Sequence, residues 1–234
     1  MPNFSIRSHQ KELMDFPVED KQALFLNLKE LIQINKLTGG PQLVFKKIKQ
    51  LFRKQKSNLT LLDIGFGAGD LLHTLHQKQA TFPFLLHLKG VDCMPEAHFF
   101  VKKTYPQLLS EATFIMGDYK EALWGKEKSD IITANLLCHH LTDADLLDFL
   151  ITTHKAAKKV VIINDLHRHP LAYWGIKLYC FLFTRSYFTQ NDAPLSVLRG
   201  FTKKEWRSHL KQAGIQHYTI EWKWAFRYLI TIYP

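Results

Sequence analysis

The first third of the chain repeats apolar residues at helical spacing. Leu13 and Phe16, then Leu24, Leu28, Leu31 and Ile32, predict helix over 8–35. Thr38-Gly39-Gly40-Pro41 breaks that pattern, and a basic amphipathic helix follows over 42–54. From residue 59 the period changes. Short apolar runs of strand length at 59–64, 87–92, 113–118, 130–135 and 159–165 alternate with helical patterns at 69–80, 95–104 and 142–157. Strands alternating with helices predict a parallel sheet with helices on both faces. An aromatic, apolar segment at 171–183 comes next. Helix 202–213 carries Trp206, Leu210 and Ala213 on one face, and Gly214 is its expected cap. The runs 217–224 and 225–233 read as a closing antiparallel hairpin. The expected architecture is an α/β fold with a seven-stranded, mostly parallel sheet. A helical cap would span 1–56, and the sheet domain 57–234 would carry an apolar lid over 170–200.

Composition narrows the class. A chain of 234 residues, 46% apolar and 22% charged, suits one large globular domain with a well-buried core. Cys93, Cys138 and Cys180 form no C-x-x-C pair, so free thiols and a reducing, cytoplasmic setting are expected. The first residues lack the apolar core of a signal peptide, and no run of apolar residues is long enough to span a bilayer. The net charge of +10 could draw the protein to an anionic surface. Its lysine and arginine clusters, at 46–49, 53–56 and 155–159, read as solvated helix faces. They lack the interleaved aromatics of a single-strand groove, so nucleic acid is not the expected partner.

The chemistry concentrates at 60–70, Thr-Leu-Leu-Asp-Ile-Gly-Phe-Gly-Ala-Gly-Asp. A buried strand ends at Asp63, and Gly65, Gly67 and Gly69 then let the backbone turn and approach a ligand closely. The spacing is G-x-G-x-G, not the G-x-G-x-x-G of dinucleotide sites. Further acids end the later strands. Asp92 ends the second, where a carboxylate can accept from ribose hydroxyls. Asp118 ends the third, ahead of Tyr119, and Asn135 ends the fourth.

This series resembles class I S-adenosylmethionine-dependent methyltransferases, which share a Rossmann-like sheet. The matching pieces are 62–70, Gly-Val-Asp-Cys-Met at 90–94, Met-Gly-Asp-Tyr at 116–119 and Asp-Ile-Ile-Thr-Ala-Asn-Leu-Leu-Cys-His-His-Leu at 130–141. The resemblance implies S-adenosylmethionine as cofactor, bound by Asp63, Gly65, Phe66, Gly67, Gly69, Asp92, Cys93, Asp118, Tyr119 and Asn135. Gly65 and Gly67 would meet its methionine part, Asp92 its ribose and Asp118 its adenine amine. Residues 163–174 and 194–201 resemble a bacterial methyltransferase subgroup associated with type III polyketide synthases. That implies a phenolic or polyketide-type acceptor.

Methyl transfer to a hydroxyl needs an aligned nucleophile and a proton acceptor. Two histidine groups fall at strand ends: His139 and His140 after strand four, His167 and His169 after strand five. His140 and His167 are the candidate bases, with Asp165 as orienting partner. A packing or cofactor-shell role is the competing reading of His139 and His140. No cysteine or carboxylate spacing supports a metal on His167 and His169, and none is expected. The segment 171–183 is either a core helix or a lid over a lipophilic, small-molecule acceptor, with peripheral membrane contact as a corollary. Asn135 is followed by Leu136-Leu137, not by the Pro-Pro-Tyr of amine-methylating enzymes. RNA or protein methylation and a non-catalytic cofactor-binding scaffold are the alternatives.

Overall fold

The computed structural model describes residues 2–123 and 128–234. Its strands are β1 Leu59–Ile64, β2 Leu86–Asp92, β3 Ala112–Met116, β4 Ser129–Asn135, β5 Ala157–Leu166, β6 Tyr218–Lys223 and β7 Arg227–Ile232. They form one seven-stranded sheet in the order β3-β2-β1-β4-β5-β7-β6. The pairs from β3 through β5 are parallel, and β7 runs antiparallel to both neighbours. The helices are α1 Lys21–Thr38, α2 Gly40–Leu51, α3 Asp70–Gln77, α4 Pro95–Thr104, α5 Leu108–Glu111, α6 Tyr119–Leu123, α7 Asp143–Ala156, α8 Pro170–Phe183, α9 Tyr187–Arg199 and α10 Lys203–Gln212. The sheet is therefore as expected, hairpin included.

Each sheet face carries its own core. Val44 and Ile48 of α2 and Leu71, Leu72 and Leu75 of α3 pack with Leu59 and Leu61 on one side. On the other, Leu146, Phe149 and Leu150 of α7 and Trp206 and Leu210 of α10 pack with Ile132, Val161 and Ile163. Both faces of the central strands are covered, which is why those strands read as unbroken apolar runs. Strand order reverses between β1 and β4, and that opens a crevice at their carboxyl ends.

The N-terminal region departs from expectation. Residues 8–20 are an extended arm with one 3-10 turn at Leu13–Asp15, not part of a helix. Pro17 explains the difference. The residue before a proline is pushed out of the helical region, and Phe16 is extended at φ −104°, ψ 159°. The helix starts only where Asp20 caps it, accepting from the Ala23 amide at 2.9 Å. Gly39, at φ 71°, separates α1 from α2. Because α2 buries Val44, Phe45 and Ile48 in the sheet core, it is a layer helix; of the described N-terminal elements, α1 and the arm are the ones that line the crevice.

Candidate active site

The crevice opens into a cavity of about 770 Å³. At one end lies the glycine turn after β1. Gly65 and Gly67 sit at φ 68° and 51°, a region open to glycine at no cost. A Cβ on Gly65 would also lie 2.8 Å from Leu137 Cδ1. Gly67 has nothing within 4 Å of such a Cβ, and it lines the cavity. Asp92 braces the turn: its Oδ2 accepts from the Gly67 amide at 2.8 Å and its Oδ1 from the Met94 amide at 2.9 Å. Phe66, Cys93, Asp118, Tyr119 and Asn135 line the same end.

Two of the expected cofactor residues stand behind the wall. Asp63 is buried, accepts from Thr133 Oγ1 at 2.8 Å, and so ties β1 to β4. Burial, seconded by Asp70 and Asp92, pushes its carboxyl up to about 8. Gly69 starts α3 at φ 74°, and a Cβ there would lie 2.7 Å from Val101 Cγ2. Its role is packing and the helix start, outside the cavity lining. The structure adds Asp70, which lines the cavity and accepts from Asn35 Nδ2 at 2.9 Å. Burial raises the Asp70 and Asp92 carboxyls as well. Buried Arg227 donates to Asn35 Oδ1 at 3.2 Å and Thr38 Oγ1 at 2.7 Å, which joins this end to α1.

The other end holds a histidine–carboxylate cluster. Asp165, expected to orient one of the candidate bases, bonds neither His140 nor His167. Asp165, fully buried, bonds His139 Nδ1 at 2.8 Å instead. Burial works to raise the Asp165 carboxyl, but His139 outweighs it and holds it low. His167 does not line the cavity; its ring sits 4.8 Å from that of Tyr228, and burial depresses it to about 4. His169 caps α8, accepting from the Leu171 amide at 3.2 Å. His140 does line the cavity, and its Nδ1 bonds Asp15 Oδ1 at 2.8 Å. Asp15 also accepts from Arg199 at 2.5 Å; His140 and Arg199 together overcome its burial and hold it far below the carboxylate range.

Glu12, carried in by the extended arm, completes the cluster. Its carboxylate oxygens lie 3.9 Å from His139 Nε2 and 3.8 Å from His140 Nε2. Burial raises Glu12 to about 7 against the pull of His140, Ser196 and Arg199. The sequence pattern around Glu12 and Asp15 looked helical and held no motif, so neither residue stood out. With carboxylates on both Nδ1 atoms, Nε2 is the nitrogen that each ring turns towards Glu12. Between the two ends the walls are apolar, with Leu28, Leu31 and Ile34 of α1, Ile176 and Tyr179 of α8 and Val197 of α9.

No protein-family model matches the sequence, and the search of curated proteins found no match. Solved structures do match. An O-methyltransferase family protein from Burkholderia thailandensis superposes with TM-score 0.65 at 12% identity, over 92% of this chain and 60% of its own. A candidate O-methyltransferase from Nostoc punctiforme gives 0.58 at 20% identity, over 87% of this chain and 59% of its own. Magnesium protoporphyrin IX methyltransferase from Synechocystis, with S-adenosylmethionine bound, gives 0.56 at 14% identity, over 86% and 83%. The chain thus spans about three-fifths of the length of the first two. With this strand order and glycine turn, the chain has the class I S-adenosylmethionine-dependent methyltransferase fold.

Proposed function

We propose that the protein is an S-adenosylmethionine-dependent methyltransferase that methylates an oxygen of a small lipophilic acceptor. The observation that carries this reading is one continuous cavity with two chemically distinct ends. The glycine turn and Asp92 form one, the histidine–carboxylate cluster the other, and apolar side chains line the rest of the cavity. Asp63, Asp70 and Asp92 crowd the first end, and burial disfavours the charge on all three. A sulfonium and an ammonium group, both present in S-adenosylmethionine, would offset that cost. A dinucleotide brings a pyrophosphate, which the same carboxylates would repel. The bound cofactor of the Synechocystis methyltransferase supports the same choice.

The reaction asks for alignment more than covalent chemistry. The acceptor oxygen attacks the sulfonium methyl in line, the carbon–sulfur bond breaks, and S-adenosylhomocysteine leaves. The hydroxyl proton passes to the histidine–carboxylate cluster on the wall of the same cavity, where Asp165 bonds His139 Nδ1 and leaves Nε2 as the nitrogen that would accept. A phenol, as in polyketide-type products, suits both that base and the apolar walls. α8 supports a lipophilic acceptor further. Its inner residues line the cavity, while Trp174, Leu178 and Phe181 stand exposed on the outside with Lys177 and Arg185. An anionic lipid surface fits that face, and the acceptor would enter from it.

The test is thermal stability with S-adenosylmethionine, S-adenosylhomocysteine, NADH and NADPH in parallel. A ligand at about 100 times its dissociation constant adds roughly 2.7 kcal/mol. Stabilisation by the two adenosyl-sulfur compounds alone, followed by transfer of labelled methyl to an alkyl-tailed phenol, is the expected result. Stabilisation by a nicotinamide cofactor would refute the reading.

A further inference from the structure

The cluster of Glu12, His139 and His140 has a geometry that proton transfer alone does not need. Each of the three offers one ligand atom, and these atoms lie within 4.8 Å of one another. Glu12 and His139 are almost fully buried, and His140 is about a fifth exposed. The separations of Glu12 from the two Nε2 atoms, 3.9 and 3.8 Å, are too long for hydrogen bonds. The gap is instead that of atoms sharing one ion about 2.0–2.2 Å from each, after a small inward movement.

The surroundings point the same way. Metal-bound histidines almost always donate their other ring nitrogen to a carboxylate or carbonyl, which fixes the tautomer and aims the lone pair. Here both do so, His139 to Asp165 and His140 to Asp15, each at 2.8 Å. Those carboxylates are themselves held: Asp165 accepts from the Leu166 amide at 2.7 Å, and Asp15 from the Glu12 amide at 3.0 Å. Ser196 Oγ donates to Glu12 Oε1 at 2.9 Å and orients the third ligand. All three ligand residues line the cavity, so a cation among them keeps an open side towards it.

We propose that Glu12, His139 and His140 bind a first-row divalent transition metal, with zinc as the model ion, at the acceptor end of the cavity. Two imidazoles and one carboxylate with an open position form the donor set of an accessible, non-structural site. The ion would bind and polarise an oxygen of whatever enters the cavity. This inference does not depend on the methyl-transfer reading, but it changes the role of His139 within it: a metal on Nε2 takes the lone pair that the ring would offer a proton, and the ion then takes over activation of the acceptor oxygen.

The experiment is zinc titration of chelator-treated protein against a competing chromophoric chelator, with cobalt(II) as a spectroscopic substitute. The expected result is one equivalent of zinc per chain and a cobalt absorption band in the visible. Glu12→Gln and His140→Ala should each weaken zinc binding roughly 100-fold or more, and Asp15→Asn, which keeps every ligand, about 10-fold. Stabilisation by S-adenosylmethionine, followed in the same samples, reports folding and the cofactor end separately. Failure to take up zinc, or uptake unchanged in both ligand variants, overturns the metal site whatever the cofactor does. A cofactor result against S-adenosylmethionine leaves the metal site standing.

Discussion

His139 and His167 are the same residue type, near the ends of neighbouring strands, with different environments. His139 gains a buried carboxylate, and its Nε2 faces Glu12 across the cavity wall. His167 gains Tyr228, Phe226 and His169 rings, and its ring Nδ1 has no hydrogen-bond partner. Burial therefore keeps His167 neutral, with its value near 4 in the folded chain against about 6.5 unfolded. Between those values the unfolded chain binds more protons, so this residue's contribution to stability falls as pH drops from about 6.5 to 4. His167→Gln should flatten the fall in melting temperature over that window. Equal pH profiles for both proteins would contradict the assignment.

At the scale of elements, the clearest case is α8. A 14-residue helix that buries only Cys180 is unusual for so apolar a sequence. One side lines the cavity, and the other leaves Trp174 51%, Leu178 60% and Phe181 80% exposed. Lys177 stands 5.3 Å from the Trp174 ring, which leaves a cation beside the aromatic. Each aromatic side chain buried in a lipid interface contributes about 1.5–3 kcal/mol. The protein should co-sediment with phosphatidylglycerol-containing vesicles, and Trp174→Glu with Phe181→Glu should weaken this by about tenfold or more. Equal partition of the double variant would remove the lipid-facing role. The arm before α1 shows the opposite lesson. Leu13 and Phe16 carry a helical spacing, yet Pro17 decides the backbone, and the apolar period there is accidental.

Across the whole molecule, the arm is what assembles the acceptor end. Arg7 is buried and donates to the carbonyls of Arg199, His139 and Leu141 and to the Asp143 carboxylate. Its guanidinium also covers the Phe201 ring at 4.2 Å. These contacts tie the N-terminal arm to the turn after β4, to α9 and to α7, and they set Glu12 and Asp15 against the histidines. Arg7→Ala takes a donor from the Arg199 and Leu141 carbonyls and leaves that of His139 to Arg199 Nε. It should cost about 2–3 kcal/mol, or roughly 5–10 °C in melting temperature, measured by calorimetry. A melting temperature unchanged by the substitution would mean the arm is not integral to the fold.

The sheet and the glycine turn at its crevice were legible because their signals are local. Strand-length apolar runs, the Asp63-to-Gly69 turn and acids at strand ends depend on residues close together in the chain, and parallel topology confines them to one edge. Even there, the sequence could not separate lining residues from braces. Asp63 and Gly69 carry the motif yet stand behind the wall, because their neighbours Thr133 and Val101 come from other elements.

By itself, the sequence determined the strand order's raw material, the glycine turn and the crevice acids, through periodicity and turn chemistry acting over a few residues. Tertiary structure alone decided which histidine receives Asp165, that Asp15 meets His140 from 125 residues away, and that Glu12 closes the cluster. The reason is physical. Pairing buried charges depends on which side chains packing brings within about 3–4 Å, and no local pattern encodes that.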